Sequence, residues 1–255
     1  MLVLPAWNAS AWTGPTGNNT YFLPGRLPAL IDAGTGQRAH IESVARALGG
    51  RPLALVLVTH GHVDHVAGVP ALRSRWPRAR VRQLGPGDDP IEPGERIPAG
   101  DGMLRALATP GHAPDHCCFF DESTGDLFCG DLLRAGGTIV IPASRGGDLA
   151  HYLESLRLVR DLGPRRLLPG HGPAIDDPQR AVDEYLRHRA ERHAQVLHAV
   201  GAGCRTPEEI VERVYSGLPP SLLAGAAETV LAHLIQLERE ARVARDRDGF
   251  VSCEL

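Results

Sequence analysis

Leu53-Ala54-Leu55-Val56-Leu57-Val58 is a run of six apolar residues with no polar alternation, which predicts a strand covered on both faces. Upstream, Thr20-Tyr21-Phe22-Leu23, the turn pair Pro24-Gly25 and Leu30-Ile31 read as strand, turn and strand. Ile41, Val44, Ala45 and Leu48 then recur at helical spacing until Gly49-Gly50 stops them. Downstream, the pattern predicts a helix over Ala67 to Trp76 and short strands over Arg80 to Gln83, Met103 to Ala108, Cys117 to Asp121 and Leu127 to Cys129. Leu149 to Leu162 is amphipathic at helical period, and Arg166-Leu167-Leu168 is a last short strand. Hairpins mixed with strand–helix alternation predict an α/β protein of stacked sheet and helix layers.

The pattern changes at Asp177-Pro178, an N-cap followed by proline at the first helical position. One long helix is predicted over 178–200, a second opens at the capping box Thr206-Pro207-Glu208-Glu209, and a third spans Ser221 to Glu240. Arg242 to Val251, with Asp248-Gly249 inside it, predicts a hairpin. Helix, helix, hairpin is the order of a winged-helix module. Two domains are therefore expected, 1–175 and a mainly helical 176–255.

Composition adds limits. A chain of 255 residues, 43% hydrophobic and 22% charged with a net charge of −3, is globular and excludes disordered or collagen-like classes. No apolar run approaches the roughly 20 residues of a membrane helix, so no membrane partner is expected. Met1-Leu2-Val3-Leu4-Pro5 has neither the basic nor the apolar segment of a signal peptide, so the expected location is cytoplasmic. All 27 basic residues are arginine; no lysine base or Schiff base is available, and an anion must be held by arginine, histidine, backbone or metal. The five cysteines form no C-x-x-C pair and read as reduced, buried thiols.

The chemistry concentrates where the apolar run ends, in Thr59-His60-Gly61-His62-Val63-Asp64-His65. Three imidazoles and a carboxylate leaving a rigid strand can converge on a metal, because alternate residues project to one side. Without a metal such a cluster is costly, since packed imidazoles repel when protonated and need partners when neutral. Thr109-Pro110-Gly111-His112, Cys129-Gly130-Asp131 and Leu168-Pro169-Gly170-His171-Gly172 repeat one grammar: a strand end, a glycine and a potential ligand.

The His-x-His-x-Asp-His motif, a later Pro-Gly-His, a Gly-Asp and a final Pro-Gly-His-Gly, in this order, resemble the metallo-β-lactamase superfamily. The resemblance covers about residues 1–175. It implies an αββα sandwich with a binuclear metal site on one edge: His60, His62 and His112 on one ion, Asp64, His65 and His171 on the other, and Asp131 bridging. Two divalent ions would lower the pKa of a bridging water and polarise the electrophile. Their surplus positive charge would draw an anionic substrate. Asp64 is expected to serve as both ligand and proton acceptor or orienter. Zinc is the first expectation for the pair, and iron or manganese accepts the same donors. Thr16-Gly17-Asn18-Asn19-Thr20-Tyr21, Leu30-Ile31-Asp32-Ala33-Gly34 and Tyr185 to Arg192, with the helical tail, further resemble the β-lactamase-like protein 2 group. Its members add a winged-helix-like extension, and some are described as endoribonucleases.

His116, four after His112, is expected to support the ligands without joining them. Cys129 is expected to be a core thiol, and His188, His193, His198 and His233 to be packed or solvated. Arg189 shares a helical face with Val182 and Tyr185, so it is either a structural ion pair or an anion clamp near the site. Gly136-Gly137 and Ser144-Arg145-Gly146-Gly147 read as loops near Asp131.

These features favour a metal-dependent hydrolase of a small, anionic ester, thioester or lactone. An endoribonuclease on single-stranded RNA and a nucleic-acid-binding regulator acting through the tail are the alternatives. Residues 176–255 carry 10 arginines against 14 acidic residues. A nucleic-acid-reading wing should be basic, so the tail is expected to be a lid or a homodimer element.

Overall fold

The apolar run becomes the strand β4, Leu55–Val58, buried along its whole length. Leu55 and Leu57 face a core between two sheets, while Val56 and Val58 face a layer of helices, the period-two division that a strand imposes. The computed structural model describes residues 1–87 and 89–253. Its first half contains β1 Leu2–Pro5, β2 Asn19–Leu23, β3 Ala29–Ile31, α1 Arg38–Leu48, then β4, α2 Val63–Val66, α3 Val69–Arg75, β5 Arg80–Leu84 and β6 Pro90–Ile91. Then come β7 Arg96–Ala99, β8 Gly102–Ala108, β9 Cys117–Asp121, β10 Asp126–Gly130, α4 Leu149–Leu162 and β11 Arg166–Pro169. The tail holds α5 Pro178–Gly201, α6 Pro207–Val214, α7 Pro220–Arg239, β12 Val243–Asp246 and β13 Gly249–Ser252.

Among the described residues, β1 to β6 form one sheet in sequence order, and β11-β10-β9-β8-β7 form a second. Tyr21, Ile31, Leu55 and Leu57 of the first sheet pack against Leu104, Phe119, Phe128 and Leu168 of the second. Ile41, Val44 and Leu48 of α1 and Leu72 of α3 cover the outer face of the first sheet. Leu149, Tyr152, Leu156 and Val159 of α4 cover the second, together with Val182 and Tyr185 of α5. The layer order is the expected αββα.

α5 spans 24 residues and belongs to two cores. Its first turns pack on the sandwich. Its last turns, through Val196, Ala199 and Val200, pack with α6, α7 and the β12–β13 hairpin, a helical and winged-helix-like region. The capping box forms at Thr206 and Glu209 as expected.

Three details go beyond the sequence pattern or depart from it. The helix expected over Ala67 to Trp76 is α3, Val69–Arg75, which starts two residues later at the N-cap Gly68, whose N–H donates to the Gly34 carbonyl at 2.8 Å. A Cβ at Gly68 would stand 2.0 Å from the Ala33 carbonyl oxygen. The short strands β1, β6 and β7 carried no readable pattern, since edge pairing and not periodicity makes them. Cys117, Cys118 and Cys129 are buried, but Cys204 is half-buried and Cys253 exposed. Among the described residues, no helix is long and apolar enough to cross a membrane.

Candidate metal centre

Parallel pairing of β3 with β4 sets Ile31 beside Leu57, so the chain leaves both strands at one end. β10 pairs parallel with β11, ending with Gly130 beside Pro169. The Cys117 N–H donates to the Thr59 carbonyl at 2.8 Å and ties the two sheets there. Four strand ends thus deliver their following residues to one edge.

The glycines make the approach possible. A Cβ at Gly170 would lie 2.7 Å from His65 Cε1 and 2.8 Å from Asp131 Oδ1, and one at Gly111 would lie 2.3 Å from Tyr152 Cα. Both are closer than side chains pack.

His60, His62 and His112 bring ring nitrogens together. His60 Nε2 is 3.0 Å from His62 Nδ1, and His112 Nε2 is 2.8 Å from the same atom. Opposite them, His171 Nε2 is 3.4 Å from Asp64 Oδ2. Asp131 stands between the two sets. Its Oδ2 is 3.6 Å from His112 Nε2, while its Oδ1 is 3.2 Å from His171 Nε2 and 3.5 Å from His65 Nε2. His60–His62–His112, His60–His65–Asp131 and Asp64–His65–His171 each place their donor atoms within 4.8 Å of one another.

Hydrogen bonds behind the rings choose their tautomers. His112 Nδ1 donates to the Val140 carbonyl at 2.7 Å, leaving its Nε2 lone pair to face inward. His65 Nδ1 donates to Asp32 Oδ2 at 2.7 Å. The Thr59 hydroxyl donates to Asp32 and accepts from His60 Nδ1 at 3.1 Å. His116 plays the supporting role expected of it: its Nε2 accepts the Asp131 N–H at 3.1 Å, and its Nδ1 meets Thr109 Oγ1 at 2.8 Å.

Electrostatics divide the edge in two. Burial, followed by neighbouring imidazoles, pushes His60 well below its ordinary value, and burial pushes His112 to about 4 and His116 to about 3. On the other side burial again opposes charge, yet Asp131 and Asp64 lift His171 to about 9. Burial likewise works to raise Asp131, but His171 and His65 hold it well below the usual carboxylate range.

The donor set fits metal ions. Ring nitrogens of His60, His62 and His112 converge at about 3 Å, and Asp131 Oδ1 beside them is buried without a hydrogen-bond partner. Divalent cations satisfy both lone pairs and carboxylates. This edge is the candidate binuclear metal centre.

The centre opens onto a cavity of about 800 Å³. His62, Asp64, His112, Asp131 and His171 form one end, and Trp12, Arg134, Tyr215 and Leu222 line the remainder. Gly136, Gly137 and Arg145 also line it, so both glycine-rich loops reach the site. Arg189 lines it too, and among the described residues it lacks the ion pair expected as one of its two readings. Cys129 is a buried thiol. His188 and His193 are half-buried, His198 is exposed and His233 is buried; none of these four joins the edge.

Asn18, Asp32 and Thr59 were not singled out as site residues. Asn18 Nδ2 donates to Asp64 Oδ2 at 3.1 Å. The one available signal was their position: each lies in a stretch quoted for the family resemblance or for the histidine motif.

Comparison with known proteins agrees. Residues 13–83 and 78–171 match the metallo-beta-lactamase superfamily model, and residues 206–250 match the beta-lactamase associated winged helix domain. The chain is 34% identical over 227 residues to the lactamase-like protein adaB of Aspergillus niger, covering 81% of this chain and 70% of that one. It is 33% identical over 251 residues to an atrochrysone carboxyl ACP thioesterase of Aspergillus chevalieri, covering 92% and 80%. A beta-lactamase domain protein from Burkholderia ambifaria shares the fold with a TM-score of 0.85 at 22% identity, covering 99% of this chain and 90% of that one. With its His/Asp clusters, αββα sandwich and winged-helix-associated tail, the chain belongs to the metallo-β-lactamase superfamily and is one of its metal-dependent hydrolases.

Proposed function

We propose that the protein hydrolyses acyl thioesters, or closely related small esters, at the edge described above. The observation that carries this reading is Asp131, whose two oxygens face two donor sets, one of three imidazoles and one of two imidazoles and a carboxylate. Two thioesterases among the relatives support the choice of substrate.

His60, His62 and His112 would hold one ion, Asp64, His65 and His171 the other, and Asp131 both. Zinc is the proposed metal. When bound, the pair supplies a water nucleophile at neutral pH and polarises the carbonyl under attack.

The chain's own residues do the rest. Asp64 is the most exposed of the ligand-set carboxylates, at 31% of its side chain, and Asn18 and His171 keep it ionised against its burial. It can therefore accept a hydrogen bond from water entering by the cavity and orient it. The apolar walls exclude further water and seat the acyl group. Free thiols at Cys117, Cys118 and Cys129 suit the reducing cytoplasm. We place the catalytic sandwich at 1–175 and the helical module at 176–255, with α5 joining them.

The test is metal analysis of the purified protein followed by a panel of acyl thioesters, lactones, phosphodiesters and single-stranded RNA. Two zinc ions per chain and preferred thioester turnover are expected. Iron or manganese at that stoichiometry would revise the metal. RNA cleavage with inert thioesters would reject the proposal in favour of a ribonuclease.

A further inference from the structure

Arg189, on α5, is 1% exposed and lines the cavity. Its Nη2 donates to the Ile139 carbonyl, and its guanidinium carbon lies 5.1 Å from the centre of the Tyr152 ring. Among the described residues, its Nε and Nη1 are buried without a hydrogen-bond partner. A guanidinium keeps its charge, and burying it without an anion is strongly unfavourable.

Among the described residues, no carboxylate pairs with Arg189. Burial pushes the Tyr152 phenol up to about 12, although Arg189 pulls it down, so Tyr152 stays neutral. Glu228, a carboxylate of the cavity wall, is engaged by the Ser144 N–H at 2.9 Å and the Ser144 hydroxyl at 2.6 Å. Arg134 and Arg145 add positive charge to the lining.

We propose that Arg189 receives a carboxylate carried at the far end of the acyl group, so that the preferred substrates are thioesters of dicarboxylic acids. This rests on the thioesterase reading and names its substrate class. A carrier on the thiol side must remain connected to solvent. The group that reaches a fully buried guanidinium is therefore the free end of the acyl chain. Ile139, Val140 and Leu222 line the cavity with apolar surface, which a methylene chain between the two carbonyl ends would cover. Two parallel N–H groups of a guanidinium match a carboxylate bidentately. Because Nε and Nη1 are closed off and Ile139 sits on Nη2, the anion gains access when the segment from Gly136 to Ile139 shifts, with the Val140 carbonyl staying on His112 Nδ1.

The test uses the metal-loaded protein and the N-acetylcysteamine thioesters of suberic acid and of its monomethyl ester. The free acid should show a KM about 10- to 100-fold lower, the range of a charge-assisted bidentate contact. Arg189→Gln should erase that difference by raising KM for the acid alone, and Arg189→Lys should restore part of it. Equal KM values in the wild type overturn the proposal, and this comparison decides it even where a variant fails to fold.

Calorimetry of suberate against monomethyl suberate separates this proposal from the hydrolase reading. A preference for the diacid that Arg189→Gln removes supports the anion site even with no thioester turned over, and no preference refutes it. Octanoyl thioesters of pantetheine and 4′-phosphopantetheine test the other source of negative charge. A phosphate preference lost in Arg189→Gln would place the anion on the thiol side and overturn the assignment.

Discussion

Among the described residues, the molecule has two histidine clusters. At the sandwich edge, six imidazoles meet Asp32, Asp64 and Asp131. In the tail, His193 Nδ1 lies 3.2 Å from His233 Nδ1, and His193 Nε2 lies 3.1 Å from Glu240 Oε2. The tail set is a single hydrogen-bonded chain that links α5 to α7. Its carboxylate sits on the far side of His193, so no three donor atoms converge. The edge set has rings fixed from behind by Asp32, Thr59 and the Val140 carbonyl, with free lone pairs in front. Proximity of histidines does not make a metal site; inward lone pairs held by outer hydrogen bonds do.

The largest effects should come from emptying the edge. Asp131→Ala and His171→Ala should each lower turnover by several orders of magnitude while the fold persists, because the three-imidazole set stays intact. Metal analysis, steady-state kinetics and circular dichroism check this together. Near-normal turnover in either variant would erase the distinction between the clusters.

Asp32→Asn keeps the size of a residue at positive φ (63°), a conformation asparagine tolerates, but loses the charge behind His65. Metal affinity should fall by about 10- to 100-fold, read by competition with a chelator. Unchanged affinity would mean that the ring is held by packing alone.

The tail should answer to pH through stability. Burial first, and Arg189 next, keep His233 well below its ordinary value of 6.5. Below that value the unfolded chain takes up a proton that the folded chain refuses, so stability falls as pH falls. The loss approaches about 1.4 kcal/mol per pH unit. Urea titrations between pH 7 and 5 should show a shallower decline for His233→Met, and parallel declines would show that His233 does not titrate as its burial requires.

The smallest effect belongs to His193→Gln, which keeps a polar group between α5 and α7. A stability change below about 1 kcal/mol is expected, with metal content and turnover unchanged. Loss of metal from this variant would show that the tail cluster reaches the edge after all.

Asp32 explains why the edge was only partly legible. His60, His62, Asp64 and His65 lie within six residues and announce themselves by spacing. Asp32 stands 33 positions before His65 and reaches it only because β3 and β4 pair in parallel. Similarly, the helical pattern over Ala67 to Trp76 forms α3, but contacts of Gly68 with Ala33 and Gly34 set its start at Val69. Local periodicity carries no information about such distant backbone contacts.

The residue order alone determined the layered α/β class, the start of the helical tail and the close-set His60, His62, Asp64 and His65, because each depends on local period, caps or short spacing; the family resemblance added His112, Asp131 and His171 to that set. Only the tertiary structure decided that Asp131 turns one oxygen to each donor set, that Asn18 holds Asp64 and Asp32 holds His65, and that, among the described residues, Arg189 is buried without a carboxylate. The physical reason is that hydrogen bonding and desolvation depend on which strand ends and helices meet, and those meetings join residues far apart in the chain.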